Sequence, residues 1–260
     1  MRIATLLLLL FCLGACKSSS VRPSYPVSIV SDELPDVFLA ELPGVRAKRY
    51  ISDASQRTGS YRVDLPPAWK GSSSASPGKA LEIFVLGGVL KIGDLDLKAG
   101  GYAYLPPGNL GFNLEAYDGA RLLYRIADVP SGAMIRTPIL LDSELLGWED
   151  TGIPGLQTKE LRQDPGSGAK TWLQKVEPGT SLPWELSLAG REGYLLTGAA
   201  THSECVSGVV VTDSYKVGDY FYRFADAING GPESVAETTS IWFLREEASI
   251  GTHIASGCGK

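Results

Sequence analysis

Two glutamates raise the question of chemistry, because each opens a strand-like run that the chain contains twice. Glu82 begins Glu82-Ile83-Phe84-Val85-Leu86-Gly87-Gly88, and Glu192 begins Glu192-Gly193-Tyr194-Leu195-Leu196-Thr197-Gly198. A carboxylate taken out of water in such a run acquires a raised pKa and can serve as acid or base. A carboxylate at a rim, met by Arg, Lys or water, does neither. Tyr102 and Tyr104, like Tyr220 and Tyr222, are spaced by two, so each pair shares one face of a strand. Such a face either packs into a core or offers a platform to a ligand. Trp172, Trp184 and Tyr194 pose the same choice.

Other chemistries fall away on counting. The chain has two histidines, His202 and His253, so one chain cannot build a three-imidazole metal site, and both stand in places, a hairpin and the tail, that do not favour a Ser-His-Asp triad. No Gly-x-Ser-x-Gly elbow is present. Asp164-Pro165-Gly166-Ser167-Gly168-Ala169-Lys170-Thr171 imitates a phosphate loop, but that loop needs Gly directly before Lys and a helix afterwards. Here Ala169 precedes Lys170 and a strand-like run follows, so the segment reads as a turn. With 24 basic and 29 acidic residues, net charge −5 and no block of one sign, nothing favours nucleic acid.

The elements that would position these residues are β-strands. Of the 260 residues, 44% are apolar and 20% charged, and the 30 glycines and 16 prolines are spread throughout, as in many short strands joined by turns. The blocks repeat in order. The runs starting at Tyr61, Glu82, Gly100 and Arg121 are answered by those starting at Trp172, Glu192, Gly218 and Ile241. Each is a β-branched or aromatic run bounded by Gly, Pro or Asp. Two β-rich units of about 100 residues predict two sandwiches or barrels, with one short helix over residues 140–148.

The order of strand, acidic residue, Val85-Leu86-Gly87-Gly88 turn, hairpin, Gly100-Gly101-Tyr102-Ala103-Tyr104-Leu105-Pro106 turn and final strand resembles the cupin superfamily. It is closest to two-cupin proteins related to the zinc-binding domain of certain anti-sigma factors. The resemblance covers residues 31–130 and 156–255. It implies an all-β chain of two tandem barrels with few short helices, each with a pocket at its mouth. The layout is then a signal over 1–16, a tether over 17–30, domains over 31–130 and 156–260, and a linker over 131–155. Metal-binding cupins carry G-x5-H-x-H-x3–4-E-x6-G and G-x5-P-x-G-x2-H. Laid on this pattern, the second repeat puts Glu185 and Ser187 at the first two histidine positions, Glu192 at the acid, and Phe224, Asp226 and Asn229 at the Pro, Gly and His of the second motif. In the first repeat Glu82 matches the acid, no histidine precedes it, and Gly111 holds the last histidine position. Both acids stand one residue closer to their glycine than the pattern asks. The expectation is therefore no transition metal and no cofactor, with a hard cation on Glu185, Glu192 and Asn229 as the remaining metal option. Arg223, beside the second motif, would meet an anionic ligand or pair with an acid.

The start of the chain resembles a bacterial lipoprotein signal. Arg2 precedes an uncharged apolar run over residues 3–15, about 20 Å as a helix and too short for a bilayer core of about 30 Å. Leu13-Gly14-Ala15-Cys16 matches the lipobox, which makes Cys16 the lipidated residue, with several acyl chains for a stable anchor. Lys17 to Pro26 reads as a flexible tether, and Lys17 rather than Asp favours the outer membrane. That places the body at the periplasmic or outer face of the envelope. Once Cys12 leaves with the signal and Cys16 is acylated, Cys205 and Cys258 remain and are expected to bond. The function expected is a small-ligand-binding or structural module. Its alternatives are a metal-independent isomerase, lyase or hydrolase acting on a sugar or small acid through Glu192 or Glu82, and a scaffold in one chain or a homodimer. The candidate pocket comprises Glu82, Tyr102, Tyr104, Trp172, Trp184, Glu185, Glu192, Tyr194, Tyr222, Arg223 and Asn229.

Overall fold

A computed structural model describes residues 25–53, 58–73, 78–108, 111–248 and 252–259. Cys16 and the apolar run before it lie outside the described residues. Among the described residues no helix is long and apolar enough to cross a membrane.

The chain folds as two β-barrels that share a seam. In the first, one sheet runs Ile139–Asp142, Gly101–Leu105, Ala80–Ile92, Ala120–Ala127, Gly59–Leu65, Arg46–Ser52 and Asp36–Phe38. The outer half of Ala80–Ile92 leaves this sheet and pairs with Leu95–Lys98 and Asn113–Ala116, and Trp69–Ser72 pairs with Asn113–Ala116 to complete the second layer. The bend falls at Gly87-Gly88, opposite a register shift between Arg121 and Leu122. Gly88 has φ +74°, and a Cβ there would lie 2.3 Å from the Gly119 carbonyl oxygen, so only glycine fits the corner.

The second barrel repeats the plan. One sheet runs Val27–Val30, Asp219–Arg223, Arg191–Thr197, Ser240–Glu246, Lys170–Val176, Leu156–Gln163 and Glu149–Asp150. The other runs Val209–Lys216, Ala199–Val206, Ala227–Gly230, Trp184–Ser187 and Thr252–Ile254. Its corner is Gly198, at φ +86°, where a Cβ would lie 2.4 Å from the Thr239 carbonyl oxygen. Gly88 and Gly198 therefore mark equivalent positions.

The repeats exchange strands. Val27–Val30, expected as the end of a tether, pairs antiparallel with Asp219–Arg223 of the second barrel. Ile139–Asp142, expected as linker and the start of a helix, pairs with Gly101–Leu105 of the first. Each segment that leads into one repeat thus completes the sheet of the other. The helix expected over 140–148 gives way to this strand and a 3₁₀ turn at Ser143–Leu145, because Leu140 packs on the first-barrel core while Leu141 packs on the seam. That alternation is a strand's. Asp142 caps the turn through the Glu144 amide at 2.9 Å.

Three apolar clusters follow from the alternation. Odd residues of Ala80–Val85 point into the first barrel, with Leu81, Ile83 and Val85 at most 2% exposed. Even residues of the same run, Ala80 and Phe84, join Tyr102, Tyr104, Leu173, Tyr194, Tyr220 and Phe243 in the seam. The second barrel has its own core around Trp172, Leu195, Phe221, Trp242 and Leu244. Cys205 and Cys258 are bonded, with Cα atoms 5.3 Å apart, which ties the C-terminal tail to the second barrel. The segment from Asp164 is a turn, as expected. Asp164 accepts from the amides of Met134, Ile135, Gly166 and Ser167, and these bonds bring its carboxyl to about 2 against the opposing effect of burial.

Candidate functional site

Glu82 and Glu192 do not face either barrel's interior. Both lie in the seam, each 6% exposed. Arg245 stands between them, with Nε 2.7 Å from Glu82 and Nη1 3.0 Å from Glu192. Glu82 also accepts from the hydroxyls of Tyr102 and Thr171 and lies 3.4 Å from Arg162 Nε. Glu192 accepts from Arg125 Nη1 at 2.5 Å and from Tyr220 at 2.8 Å, with Ser60 also bonded. Each glutamate is held by a tyrosine of its own repeat and by a hydroxyl and an arginine of the other. Burial alone would raise both carboxyls. The guanidiniums reverse this: Arg162 and Arg245 bring Glu82 to about 2, and Arg125 and Arg245 hold Glu192 below the usual range. Such carboxylates stay ionised and satisfied, with no free lone pair poised as a base. The hard-cation option fails with them, since Glu192 is on the opposite face of its strand from the cavity that Glu185 and Asn229 line.

The candidate pocket therefore splits. Glu82, Tyr102, Tyr104, Glu192 and Tyr194 belong to the seam, and Tyr222 is half-buried at its edge. Trp172 packs in the second-barrel core, under the Arg191 guanidinium at 5.6 Å from its ring centre. Glu185, Arg223 and Asn229 meet in a small cavity inside the second barrel, of about 50 Å³. The Trp184 ring sits against Gly231, beside this cavity.

The family spacing, applied strictly, explains the split. Seven positions before Gly88 stands Leu81, and seven before Gly198 stands Arg191. These are the inward residues at the acid position. A one-residue slip in a strand moves a side chain to the other face. In the second barrel the positions of a cupin's ligands thus hold Glu185, Ser187, Arg191 and Asn229. Arg191 Nη1 is 2.9 Å from Glu185, and its Nε and Nη2 are 2.8 and 2.5 Å from Glu246. Asn229 donates to Ser187 at 3.3 Å. This donor set does not fit a transition ion: a guanidinium occupies the acid's place and claims the one carboxylate. Among the described residues no group of three or more His, Cys, Asp or Glu is arranged to share an ion.

Sequence reasoning missed His202. It lines the same cavity, four residues beyond the Gly198 corner, and its ring lies parallel to Phe221 with centroids 6.0 Å apart. Burial, with the neighbouring Arg223 charge, holds its pKa well below the usual range, so it is neutral. The ring also bonds the Asn229 side chain, but its Nε2, 4.0 Å from Glu204, and the Nη2 of Arg223 are buried without a hydrogen-bond partner. Arg223 is 2% exposed, lies 3.7 Å from the Phe221 ring centre and spends its Nε on Glu204 at 2.5 Å. The signal for His202 was available: counting from the two corner glycines sets it opposite Ile92, a core residue of the first barrel. His253 is exposed, on the strand Thr252–Ile254.

No protein-family model and no curated protein matches the sequence. Solved structures do match. A protein assigned as a dioxygenase from Nostoc punctiforme superposes with a TM-score of 0.67 at 18% identity, over 89% of this chain and 87% of that one. A protein assigned as glyoxylate-induced from Pseudomonas aeruginosa gives 0.69 at 15% identity, over 88% and 91%. Oxalate decarboxylase of Bacillus subtilis gives 0.60 at 13% identity, over 92% and 81%. At these identities the likeness speaks for the fold alone. Together with the repeated corner, the paired sheets and the near absence of helix, it makes this an all-β chain of two cupin barrels in tandem.

Proposed function

We propose that this chain is a lipid-anchored protein of the bacterial envelope whose second cupin barrel binds a small molecule without a transition metal, while its first barrel is structural. One observation carries the reading. The second barrel encloses a cavity in which Arg223 Nη2 and His202 Nε2 have no partner, whereas the first is filled by Val63, Val85, Leu90, Ile92, Leu114 and Leu122, none more than 2% exposed. Buried polar groups are rarely left unpaired, and a ligand that pairs them recovers the cost. Bacillus subtilis oxalate decarboxylase has Mn(II) centres; the guanidinium at the acid position here points away from chemistry of that kind. Acid–base catalysis by Glu82 or Glu192 has no support from their seam positions. The lipid anchor rests on the signal-like run and Cys16, and labelling with a lipid analogue should be lost in Cys16→Ser.

The binding reading is tested by thermal-shift screening of sugars, small organic acids and their amides against the detergent-solubilised Cys16→Ser chain, in parallel with Ala236→Leu, which fills the cavity. Ala236 is 5% exposed and lines the cavity beside Ala200. Stabilising compounds should lose their effect in the filled variant. Compounds that stabilise both proteins equally would refute a site inside the second barrel.

A further inference from the structure

The cavity specifies the charge of what it takes. We infer that the second barrel binds an uncharged small molecule that presents a carbonyl or hydroxyl oxygen to Arg223 Nη2 and His202; this rests on the binding role proposed above and deepens it.

Three observations carry the inference. First, the identified unmet demand includes a donor: Arg223 Nη2 has no acceptor, and a guanidinium can only donate. The ligand must therefore bring an oxygen. Second, each positive charge is already matched. Arg191 is matched by Glu246 and Glu185, and Arg223 by Glu204. The side chains of Arg191, Arg223, Glu204 and Glu246 are all at most 8% exposed, two positive and two negative, with Glu185 a further negative at 29%. His202 adds no charge. A bound carboxylate would bring a fourth negative group against two positive ones, and burying unbalanced charge is costly. An uncharged oxygen meets the same donor without that cost. Third, Leu182, Val235, Trp242 and Leu244 line the wall together with the uncharged polar side chains of Gln174, Thr201 and Ser240, which suits a compact molecule with polar and apolar parts and no charge.

The experiment titrates the same detergent-solubilised chain by calorimetry with matched pairs on one skeleton: glycolamide and glycolate, lactamide and lactate, glucose and gluconate. The uncharged member of at least one pair should bind, and its carboxylate should bind at least about tenfold more weakly. Glu204→Gln removes one negative charge next to Arg223 and should move the preference toward the carboxylate by a similar factor. Arg223→Gln with Glu204→Gln keeps the charge balance, avoids an orphaned carboxylate and should abolish binding of the uncharged member. Carboxylates that bind the parent as well as or better than their partners overturn the inference. If their binding is lost in Ala236→Leu, the site stands and only its charge preference falls. If no pair binds the parent, and the wider screen finds nothing sensitive to Ala236→Leu, both readings fall.

Discussion

The two barrels are alike at their corners and in the seam, and differ in one rung of side chains across three neighbouring strands. In the first barrel Leu81 pairs across the sheet with Leu105 on one side and Ile126 on the other. The same rung in the second reads Arg223, Arg191 and Glu246. Ile92 and His202 repeat the contrast beyond the corner glycines. The first interior is held by apolar burial, which is non-directional and needs no partner. The second adds to its apolar core a set of buried ion pairs, which are adequate only while each member is present. One backbone plan thus hosts either a filled core or a polar chamber, and the choice rests on a handful of inward residues.

The sharpest way to break the comparison is to exchange the rungs. Leu81→Arg places a charge where no carboxylate waits, and is expected to cost more than about 4 kcal/mol and to leave the first barrel unfolded. Arg191→Leu strands Glu246, at a cost of about 3–5 kcal/mol, while Arg191→Leu with Glu246→Ile copies the first barrel and should recover most of that loss. Urea unfolding of the three variants measures this. A single Arg191→Leu as stable as the parent would show that the second interior does not depend on its pairs.

The disulfide distinguishes the barrels as well, since it closes only the second. Cys205 and Cys258 are 53 residues apart, which in the chain-entropy model is worth about 4 kcal/mol, with measured bonds more often delivering about 2–4. Reduction, or a Cys205→Ser and Cys258→Ser pair, should raise hydrogen exchange in the strands Ala199–Val206 and Trp184–Ser187 before any in the first barrel. Uniform loosening of both would mean that the tail braces the whole chain.

Much of this architecture was readable from residues alone. The twice-repeated blocks with their glycine corners marked the strands, and the cysteine count picked out the bond. The faces were not readable. Strands such as Arg191–Thr197 are buried on both sides, so polar and apolar residues do not alternate along them and the usual guide to orientation is missing. Glu82 and Glu192 were therefore read as pocket residues when Leu81 and Arg191 hold those places. The strand exchange was hidden for a different reason. Val27–Val30 and Ile139–Asp142 are only four residues each, and their partners lie across the other repeat.

Acid should act on what the two barrels share, and this sharpens the comparison most gently. Glu82 is brought to about 2 by Arg162 and Arg245 despite its burial, and Glu192 is lowered by Arg125 and Arg245. A carboxyl whose folded pKa is depressed stabilises fully above its unfolded value and loses that contribution as pH falls toward the folded one. For Glu82 the window runs from about 4.5 down to about 2, and the contribution at neutral pH is on the order of 3 kcal/mol. Because each glutamate binds arginine from both repeats or from the opposite one, protonation should loosen the barrels together rather than one at a time. Hydrogen exchange resolved by peptide, followed from pH 6 to pH 2, should show Gly59–Leu65 and Lys170–Val176 losing protection over the same interval, and Glu82→Gln should flatten that dependence. Separate transitions would mean that the interiors, not the seam, set acid stability.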